Sequence, residues 1–344
     1  MNGAAEIDSE ADLDAQSGKD RIKTKLIRDL GADVLALFSA KTTIELMLNA
    51  DGRLWIERLG GRVEPAGAIP LHRAEAIIRD VAGYHGKEAR KLTPLLEAEF
   101  PLEGARFAAQ LPPVVAAPTF AIRKRAIAIF RLQDYLPDAV MTEAQLAAIQ
   151  AAIAARRNIL VIGGTGSGKT TLVNAIINGM VEAAPDERLV IIEDTGEIQC
   201  AAANYIQYRT SPEVSMTALL KATLRMRPDR ILVGEVRGPE ALDLLMAWNT
   251  GHEGGAATLH ANNAAAGLTR LSTLINMHQD SPDPLERDRM IGEAVHLIVH
   301  IARTPEGRRK VVEVLEVGGF ADGMFGFQRA ERGSEGSRQC VICN

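Results

Sequence analysis

Apolar and polar positions divide the chain into predicted elements, and the pattern changes near residue 132. Before that point, residues 43–48 and 54–57 flank a turn at 49–52, which predicts a β-hairpin. Apolar residues at helical spacing predict a helix over 19–38. Helices are also predicted over 72–81 and 91–97, and strands over 105–111 and 119–126. Together these elements predict an α+β domain.

Beyond residue 142, short unbroken apolar runs alternate with helical segments. Such runs are typical of strands that are buried on both faces of a parallel sheet. The predicted strands cover 158–162, 188–192, 231–234 and 256–259. A helix is predicted to begin near Gly168 and to end at Gly179, where the glycine would serve as a C-terminal cap. The fold class expected for this half of the chain is α/β.

These patterns predict a domain organisation. The segments are a disordered acidic N-terminus (1–18), an α+β N-terminal domain (19–132), a linker (133–142), an α/β domain (143–317) and a flexible tail (318–344). The first helix has a basic start, so contact with a membrane surface stays open. Packing in the core of its own domain is the favoured interpretation.

Composition excludes several classes of protein. With 39 basic and 44 acidic side chains, the net charge of −5 predicts no general affinity for nucleic acid. Aromatic residues make up 4% of the chain, too few to predict a stacking platform for single strands. The sequence contains no apolar run of transmembrane length and its start is acidic, so a cytoplasmic protein is expected. Cys200, Cys340 and Cys343 form no disulfide framework, and the last two give only a weak redox or metal signal.

The most specific motif is Gly-Gly-Thr-Gly-Ser-Gly-Lys-Thr at 163–170, between a predicted strand and a predicted helix. It matches the phosphate-binding pattern GxxxxGK[ST], in which backbone N–H groups and a helix N-terminus face the anion. Lys169 is expected to reach the β- and γ-phosphates of ATP, and the Thr170 hydroxyl to bind Mg²⁺. The predicted nucleotide contacts are Gly163, Gly164, Thr165, Gly166, Ser167, Gly168, Lys169, Thr170 and, as a weaker candidate, Thr171.

Polar residues follow three further predicted strands. The sequence Glu-Asp-Thr-Gly-Glu at 193–197 follows the second strand, Glu235 ends the third and His260 ends the fourth. In an open α/β sheet such strand ends form the ligand site. ATP hydrolysis needs a group that orients water and contacts to the metal, which Glu235, Glu193 and Glu197 can supply. Glu235 is favoured as the base and Glu193 as its metal-side partner, with the reverse left open. His260 is interpreted as a γ-phosphate sensor or as a link between domains.

The order of these motifs resembles the secretion-superfamily ATPases. Their hallmarks are a Walker A loop, an acidic Asp box, a Walker B strand ending in glutamate, and a His box. The corresponding segments are 163–170, 193–197, 232–238 and 250–262. Within that superfamily the chain is most similar to the type IV secretion traffic ATPases of the conjugal-transfer TrbB type. The sequence lacks the four-cysteine zinc insert of the type II and pilus-extension branch.

The resemblance implies a RecA-like C-terminal domain and a homohexameric ring. It also implies that this ring is an ATP-hydrolysing motor that powers a conjugative type IV secretion system. It implies partners among the inner-membrane components of the apparatus and a place at the inner face of the bacterial inner membrane. Arginines of the N-terminal domain are implied to reach the phosphates. Arg123 is the leading candidate, and Arg106 and Lys124 are weaker. Arg237 is implied to pair with carboxylates of the Asp box.

Two other functions stay open at this point. One is a nucleic-acid translocase, because RecA-like rings also move DNA, although the sequence gives no strong signal for direct DNA binding. The other is a nucleotide-gated scaffold that hydrolyses slowly or not at all. The full set of candidate catalytic carboxylates argues against the scaffold.

Overall fold

The computed structural model describes residues 7–59, 63–124, 130–211, 213–329 and 339–340. The chain separates into two compact units that divide between residues 127 and 128. Each unit has its own sheet and its own apolar core. The prediction of an α/β fold, with a parallel-sheet C-terminal domain and a smaller α+β N-terminal domain, is confirmed.

The first unit is an antiparallel sheet packed with helices. Its elements are α1 (Ile7–Leu30), α2 (Ala32–Ser39), β1 (Thr43–Leu48), β2 (Arg53–Arg58), β3 (Val63–Ala68), α3 (Leu71–Tyr84), β4 (Leu95–Glu99), β5 (Arg106–Gln110) and β6 (Thr119–Arg123). The strand order is β3-β2-β1-β6-β5-β4. The predicted hairpin is confirmed as the antiparallel pair of β1 and β2. Leu26, Leu30, Val34 and Phe38 are buried, so the first two helices are core elements of this unit.

Two predictions for the first unit differ from the structure. The chain is helical from Ile7, within the segment 1–18 that was expected to be disordered. The later half of α1 packs in the core through Leu26 and Leu30, and residues that extend an existing helix gain hydrogen bonds without the cost of starting one. The helix predicted over 91–97 is wrong, because Leu95–Glu99 forms strand β4. Pro94 disfavours a helix there, and exposed and buried positions alternate along the start of the strand.

Side chains from the loop after α3 cover the outer edge of β4. Lys87 Nζ donates to the carbonyl oxygen of Glu97 at 2.9 Å. His85 Nε2 lies 2.5 Å from the carbonyl oxygen of Glu99. An edge strand otherwise presents backbone groups to which another chain can pair. The two side chains therefore occupy acceptors that an added strand would use.

The second unit contains a mixed sheet with helices on its faces. Its elements are α4 (Glu143–Ala154), β7 (Ile159–Ile162), α5 (Lys169–Ala183), β8 (Leu189–Glu193), β9 (Tyr205–Arg209), α6 (Met216–Thr223), β10 (Arg230–Val233), α7 (Glu240–Asn249), β11 (Ala256–Leu259), α8 (Ala264–Ile275), α9 (Pro284–Ala294), β12 (Leu297–Arg303), β13 (Arg309–Ala321), β14 (Met324–Arg329) and β15 (Gln339–Cys340). The strand order is β15-β14-β13-β12-β7-β11-β10-β8-β9.

The strands from β12 to β9 in that order run parallel to one another. The four strands predicted from apolar runs are β7, β8, β10 and β11, and all of their residues are buried. The carboxyl ends of parallel strands lie at the same edge of the sheet. The residues that follow β7, β8, β10, β11 and β12 therefore meet at that edge.

Helix α5 is longer than predicted. Gly179 was expected to cap its C-terminus, but the helix continues to Ala183 and Gly179 lies within it. A Cβ atom on Gly179 would lie 3.1 Å from Ile153 Cδ1 and 3.3 Å from Leu132 Cδ1. Gly179 therefore does not end the helix. Its lack of a side chain lets α5 pack closely against Ile153 and Leu132.

The ends of the second unit also differ from the predictions. Residues 133–142, the predicted linker, belong to this unit, and Tyr135 and Met141 are buried in its core. The predicted flexible tail begins inside β13, which pairs with β14 as far as Arg329. The rings of Phe320 and Phe325 pack at 4.9 Å across this hairpin, which explains its order. Cys343 lies outside the described residues.

No helix among the described residues is both long enough and apolar enough to cross a membrane.

Candidate functional site

The loop of residues 163–170 connects β7 to α5 at the carboxyl edge of the second sheet. Gly168 precedes the helix with a left-handed φ of 101°. Gly163 has a φ of 157°, and a Cβ atom there would lie 2.1 Å from the carbonyl oxygen of Ile301. Strand β12 therefore passes directly beside the start of the loop. Only glycine permits this approach and the backbone turn into α5.

Lys169 is buried at the first position of α5, and the loop's own carbonyl groups hold its ammonium group. Its Nζ donates to the carbonyl oxygens of Gly163 at 2.9 Å and Gly164 at 3.0 Å. The backbone N–H of Ser167 also donates to the Gly164 carbonyl, at 3.3 Å. The cation is thus positioned inside the curve of a loop whose pattern binds phosphate.

His260, at the end of β11, joins Lys169 to Glu235. Its Nδ1 lies 3.4 Å from Lys169 Nζ, and its Nε2 lies 2.6 Å from Glu235 Oε1. The lysine can only donate, so Nδ1 accepts and the ring proton lies on Nε2, facing the carboxylate. Burial lowers the pKa of His260, Glu235 opposes that shift, and Lys169 adds to it. The geometry favours a neutral imidazole between a cation and a carboxylate.

Glu193 is fully surrounded by hydrogen-bond donors. Its Oε2 accepts from the backbone N–H groups of Glu197 at 2.7 Å and Ile198 at 3.0 Å, and its Oε1 accepts from the Gln207 amide. Burial raises the pKa of Glu193, against the opposing effect of these hydrogen bonds. The carboxylate therefore shapes the loop after β8.

Thr170 faces this same loop. Its hydroxyl lies 3.4 Å from Glu197 Oε2. Asn174, one turn further along α5, donates to the carbonyl oxygen of Glu197 at 3.3 Å. A hydroxyl beside a carboxylate is a hard oxygen donor set, which suits Mg²⁺ that is shared with phosphates and water. The described residues contain no cluster of three or more histidine, cysteine, aspartate or glutamate side chains that could hold a metal ion.

Arg237 connects the third strand end to the second. Its guanidinium contacts Glu235 Oε2, and its Nη1 lies 3.6 Å from Asp194 Oδ2. Pairing of Arg237 with an Asp-box carboxylate was expected from the sequence and is present. The structure thus brings these residues together in two series of contacts. One runs through Lys169, His260, Glu235, Arg237 and Asp194. The other runs through Thr170, Glu197 and Glu193, and Glu193 precedes Asp194 in the chain.

The glycine-rich segment 250–255 and His260 lie at opposite ends of β11. The segment precedes β11, whereas His260 follows that strand, so the two are at opposite sheet edges. Gly255 is required for packing, because a Cβ atom there would lie 2.2 Å from the carbonyl oxygen of Ile231 and 2.3 Å from Trp248 Nε1. His252 Nδ1 lies 3.1 Å from the carbonyl oxygen of Pro228 at that edge.

The candidate arginines of the first unit lie on neighbouring strands. Arg123 on β6 is directly opposite Arg106 on β5 and Glu45 on β1. Arg123 thus has a cation opposite it on one neighbouring strand and a carboxylate opposite it on the other. Lys124 is different: its Nζ is almost fully buried, donates to the Phe38 carbonyl at 2.8 Å and pairs with Glu103 at 3.1 Å. Lys124 is therefore engaged inside the first unit.

Two residues at the carboxyl edge of the second sheet were not predicted from the sequence. Arg303 Nε donates to the carbonyl oxygen of Gly166 at 3.0 Å. Arg309 Cδ lies 3.0 Å from the position that a Cβ atom on Gly168 would take. Residues 297–301 are apolar except for His300, so the strand-end rule that selected Glu235 could also have selected Arg303.

Comparisons with known proteins agree with the fold and motif order. Residues 97–341 match the family described as "Type II/IV secretion system protein". The probable conjugal transfer protein TrbB of Sinorhizobium fredii is 50% identical over 305 residues, which cover 89% of this chain and 92% of that protein. The type IV secretion system protein PtlH of Bordetella pertussis is 35% identical, over 80% of this chain and 91% of that protein.

Solved structures show the same fold. The Legionella pneumophila ATPase DotB superposes with a TM-score of 0.58 at 21% identity. The match covers 80% of this chain and 77% of that one.

Proposed function

The chain belongs to the type II/IV secretion system protein family, and from this we propose that it is an ATPase that powers a conjugative type IV secretion system. The observation that carries the proposal is the continuous contact from Lys169 through His260 to Glu235. It joins a phosphate-binding cation to a carboxylate that can orient water. The high identity to conjugal transfer proteins supports the choice of apparatus.

In the proposed reaction, Lys169 exchanges its contacts with the Gly163 and Gly164 carbonyl oxygens for oxygens of the β- and γ-phosphates. The first turn of α5 and the loop N–H groups bind the same anion. His260 then senses the γ-phosphate, because its Nδ1 contacts the lysine that moves. Glu235 orients and deprotonates the attacking water, and Arg237 fixes the carboxylate from its other side.

Thr170 and Glu197 are the residues that would hold Mg²⁺ with the nucleotide, with Glu193 acting through the loop that it organises. A metal ion held by these residues would supply positive charge against the charge that develops on the phosphates during transfer. Arg123, with Arg106 beside it, is proposed to stabilise the same charge. The resemblance to the family supports this role for Arg123.

The proposed assembly is a homohexamer at the cytoplasmic face of the bacterial inner membrane, with inner-membrane components of the apparatus as partners. The family membership supports this placement. ATP binding and hydrolysis would change the arrangement of each subunit and so perform work on the apparatus.

The first test is phosphate release by the purified wild type and by Lys169→Ala. Loss of the cation should reduce turnover by at least about 10²-fold, because transition-state charge would lack its principal lysine partner. Lys221→Ala is a matched control, since Lys221 is an exposed lysine on α6 and should leave the rate unchanged.

Hydrolysis by the wild type no faster than by Lys169→Ala, even with membranes added, would contradict the ATPase proposal and favour a scaffold. Adding single-stranded DNA tests the translocase directly. Strong stimulation that falls with salt would replace the secretion-motor proposal with that one.

A further inference from the structure

The turn between β12 and β13 places two arginines beside the phosphate-binding loop. Arg303 ends β12, Arg309 begins β13, and the two are directly opposite each other in the antiparallel pair. β12 is the parallel neighbour of β7, the strand that leads into the loop. Both arginines therefore lie at the sheet edge that carries the phosphate-binding loop.

Arg303 holds a carbonyl group of the loop. Its Nε donates to the Gly166 carbonyl oxygen at 3.0 Å, and its Nη2 lies 3.4 Å from the position of a Cβ atom on Gly166. Gly166 has a φ of 69°, and a glycine peptide can rotate at low cost. A charged donor fixes the carbonyl strongly. Arg303 thus keeps this oxygen from turning towards phosphate, which it would repel.

Arg309 lies against the start of α5. Its Cδ and Nε lie 3.0 and 3.3 Å from the position of a Cβ atom on Gly168, the residue that precedes the helix. A cation near a helix N-terminus is unfavourable, because the partial charge there is also positive. An anion that binds the helix end removes this repulsion and is attracted by both charges.

We propose that Arg303 and Arg309 are positioning residues for the polyphosphate of the nucleotide. Arg303 acts through the Gly166 carbonyl, and Arg309 acts through the positive potential at the first turn of α5. The proposal deepens the proposed function and rests on it, since it assumes that ATP binds at this loop.

Calorimetric titration with Mg·ADP tests both residues. Arg303→Ala and Arg309→Ala should each bind about tenfold more weakly than the wild type, as expected for loss of one charged interaction. Arg308→Ala is the matched control, because Arg308 is an exposed arginine on the same turn and should bind like the wild type. Arg303→Lys should recover part of the affinity, because an ammonium can still donate to the carbonyl.

Thermal unfolding separates positioning from a structural role. Without nucleotide, Arg309→Ala should unfold at the wild-type temperature or above it, because repulsion at the helix end is relieved. The increase in unfolding temperature on adding Mg·ADP should be smaller than in the wild type. The role of Arg309 would be overturned if Arg309→Ala unfolded at a lower temperature than the wild type without nucleotide and gained as much as the wild type from added Mg·ADP.

The two proposals fail in different ways. If the wild type does not bind Mg·ADP, the proposed function fails first. If the wild type binds and both alanine variants bind equally well, only the role of the arginines is wrong.

Discussion

At the scale of single residues, the two candidate catalytic carboxylates have very different surroundings. Glu193 is 2% exposed and accepts hydrogen bonds from Glu197, Ile198 and Gln207. Glu235 contacts His260 and Arg237 at the edge where the phosphate loop opens. Water can reach Glu235, whose side chain is 17% exposed, more readily than the buried Glu193, and a general base must lie within reach of the proton that it takes. The surroundings therefore favour Glu235 as the base, and this assignment is a prediction.

Glutamine substitutions test that assignment. Glu235→Gln keeps the size of the side chain but removes its basicity, so turnover should fall by about 10²- to 10⁴-fold while Mg·ADP still binds. Glu193→Gln should instead lower the unfolding temperature, because an amide NH₂ would face one of the donors that now bind the carboxylate. Phosphate release and thermal unfolding of both variants distinguish these effects. Wild-type turnover in Glu235→Gln would transfer the role to Glu193.

His296 predicts how stability depends on pH. Burial lowers its pKa from 6.5, nearby Arg157 adds to the shift and Glu253 opposes it. Its Nδ1 accepts from the Asn158 backbone N–H at 3.0 Å, which requires the unprotonated nitrogen. As pH falls below 6.5, the unfolded chain binds a proton that the folded protein takes up only at lower pH, so the free energy of unfolding should decrease.

Urea midpoints at about pH 7.5 and about pH 5.5 measure this effect. His296→Asn retains an acceptor but does not titrate, so it should lose less stability than the wild type between the two conditions. An equal decrease in both proteins would show that His296 does not contribute.

At the scale of elements, the sequence predicts best where one pattern determines the structure. Unbroken apolar runs identified β7, β8, β10 and β11, because a strand buried on both faces has no polar position. The loop at 163–170 was recognisable because glycine, lysine and threonine have separate chemical tasks at fixed spacing.

Elements that depend on distant partners were not predictable in this way. The role of Gly179 depends on Ile153 and Leu132, which contact it only after folding. Strand β4 is short and half exposed, so pairing with β5 decides its structure more than its own residues do. Arg303 lies far along the chain from Gly166, and only the order of strands in the sheet brings them together.

The contact between β12 and the phosphate loop gives an element-scale prediction. Gly163→Ala should strongly lower the unfolding temperature, because the added carbon would lie 2.1 Å from the Ile301 carbonyl oxygen. Gly164→Ala is the matched control: a Cβ atom there has no neighbour within 4 Å among the described residues. Thermal unfolding compares them. Equal unfolding temperatures would mean that β12 does not constrain the loop.

At the scale of the whole molecule, the proposed motor requires several copies of the chain. Sedimentation velocity with Mg²⁺ and a non-hydrolysable ATP analogue should show a species of about six protomers, because ring ATPases use nucleotide contacts to stabilise the assembly. Lys169→Ala should require more analogue to assemble, since it binds the phosphates less well. A protein that stays monomeric at saturating analogue would contradict the motor.

The covered edge of β4 has a consequence for such an assembly. Lys87 and His85 occupy the Glu97 and Glu99 carbonyl oxygens, so the first unit cannot readily extend its sheet into that of another copy at the β4 edge. Exposed edge strands of neighbouring subunits could otherwise pair with one another and form fibrils of indefinite length. Two side chains on one loop would thus help the proposed assembly to close as a finite particle.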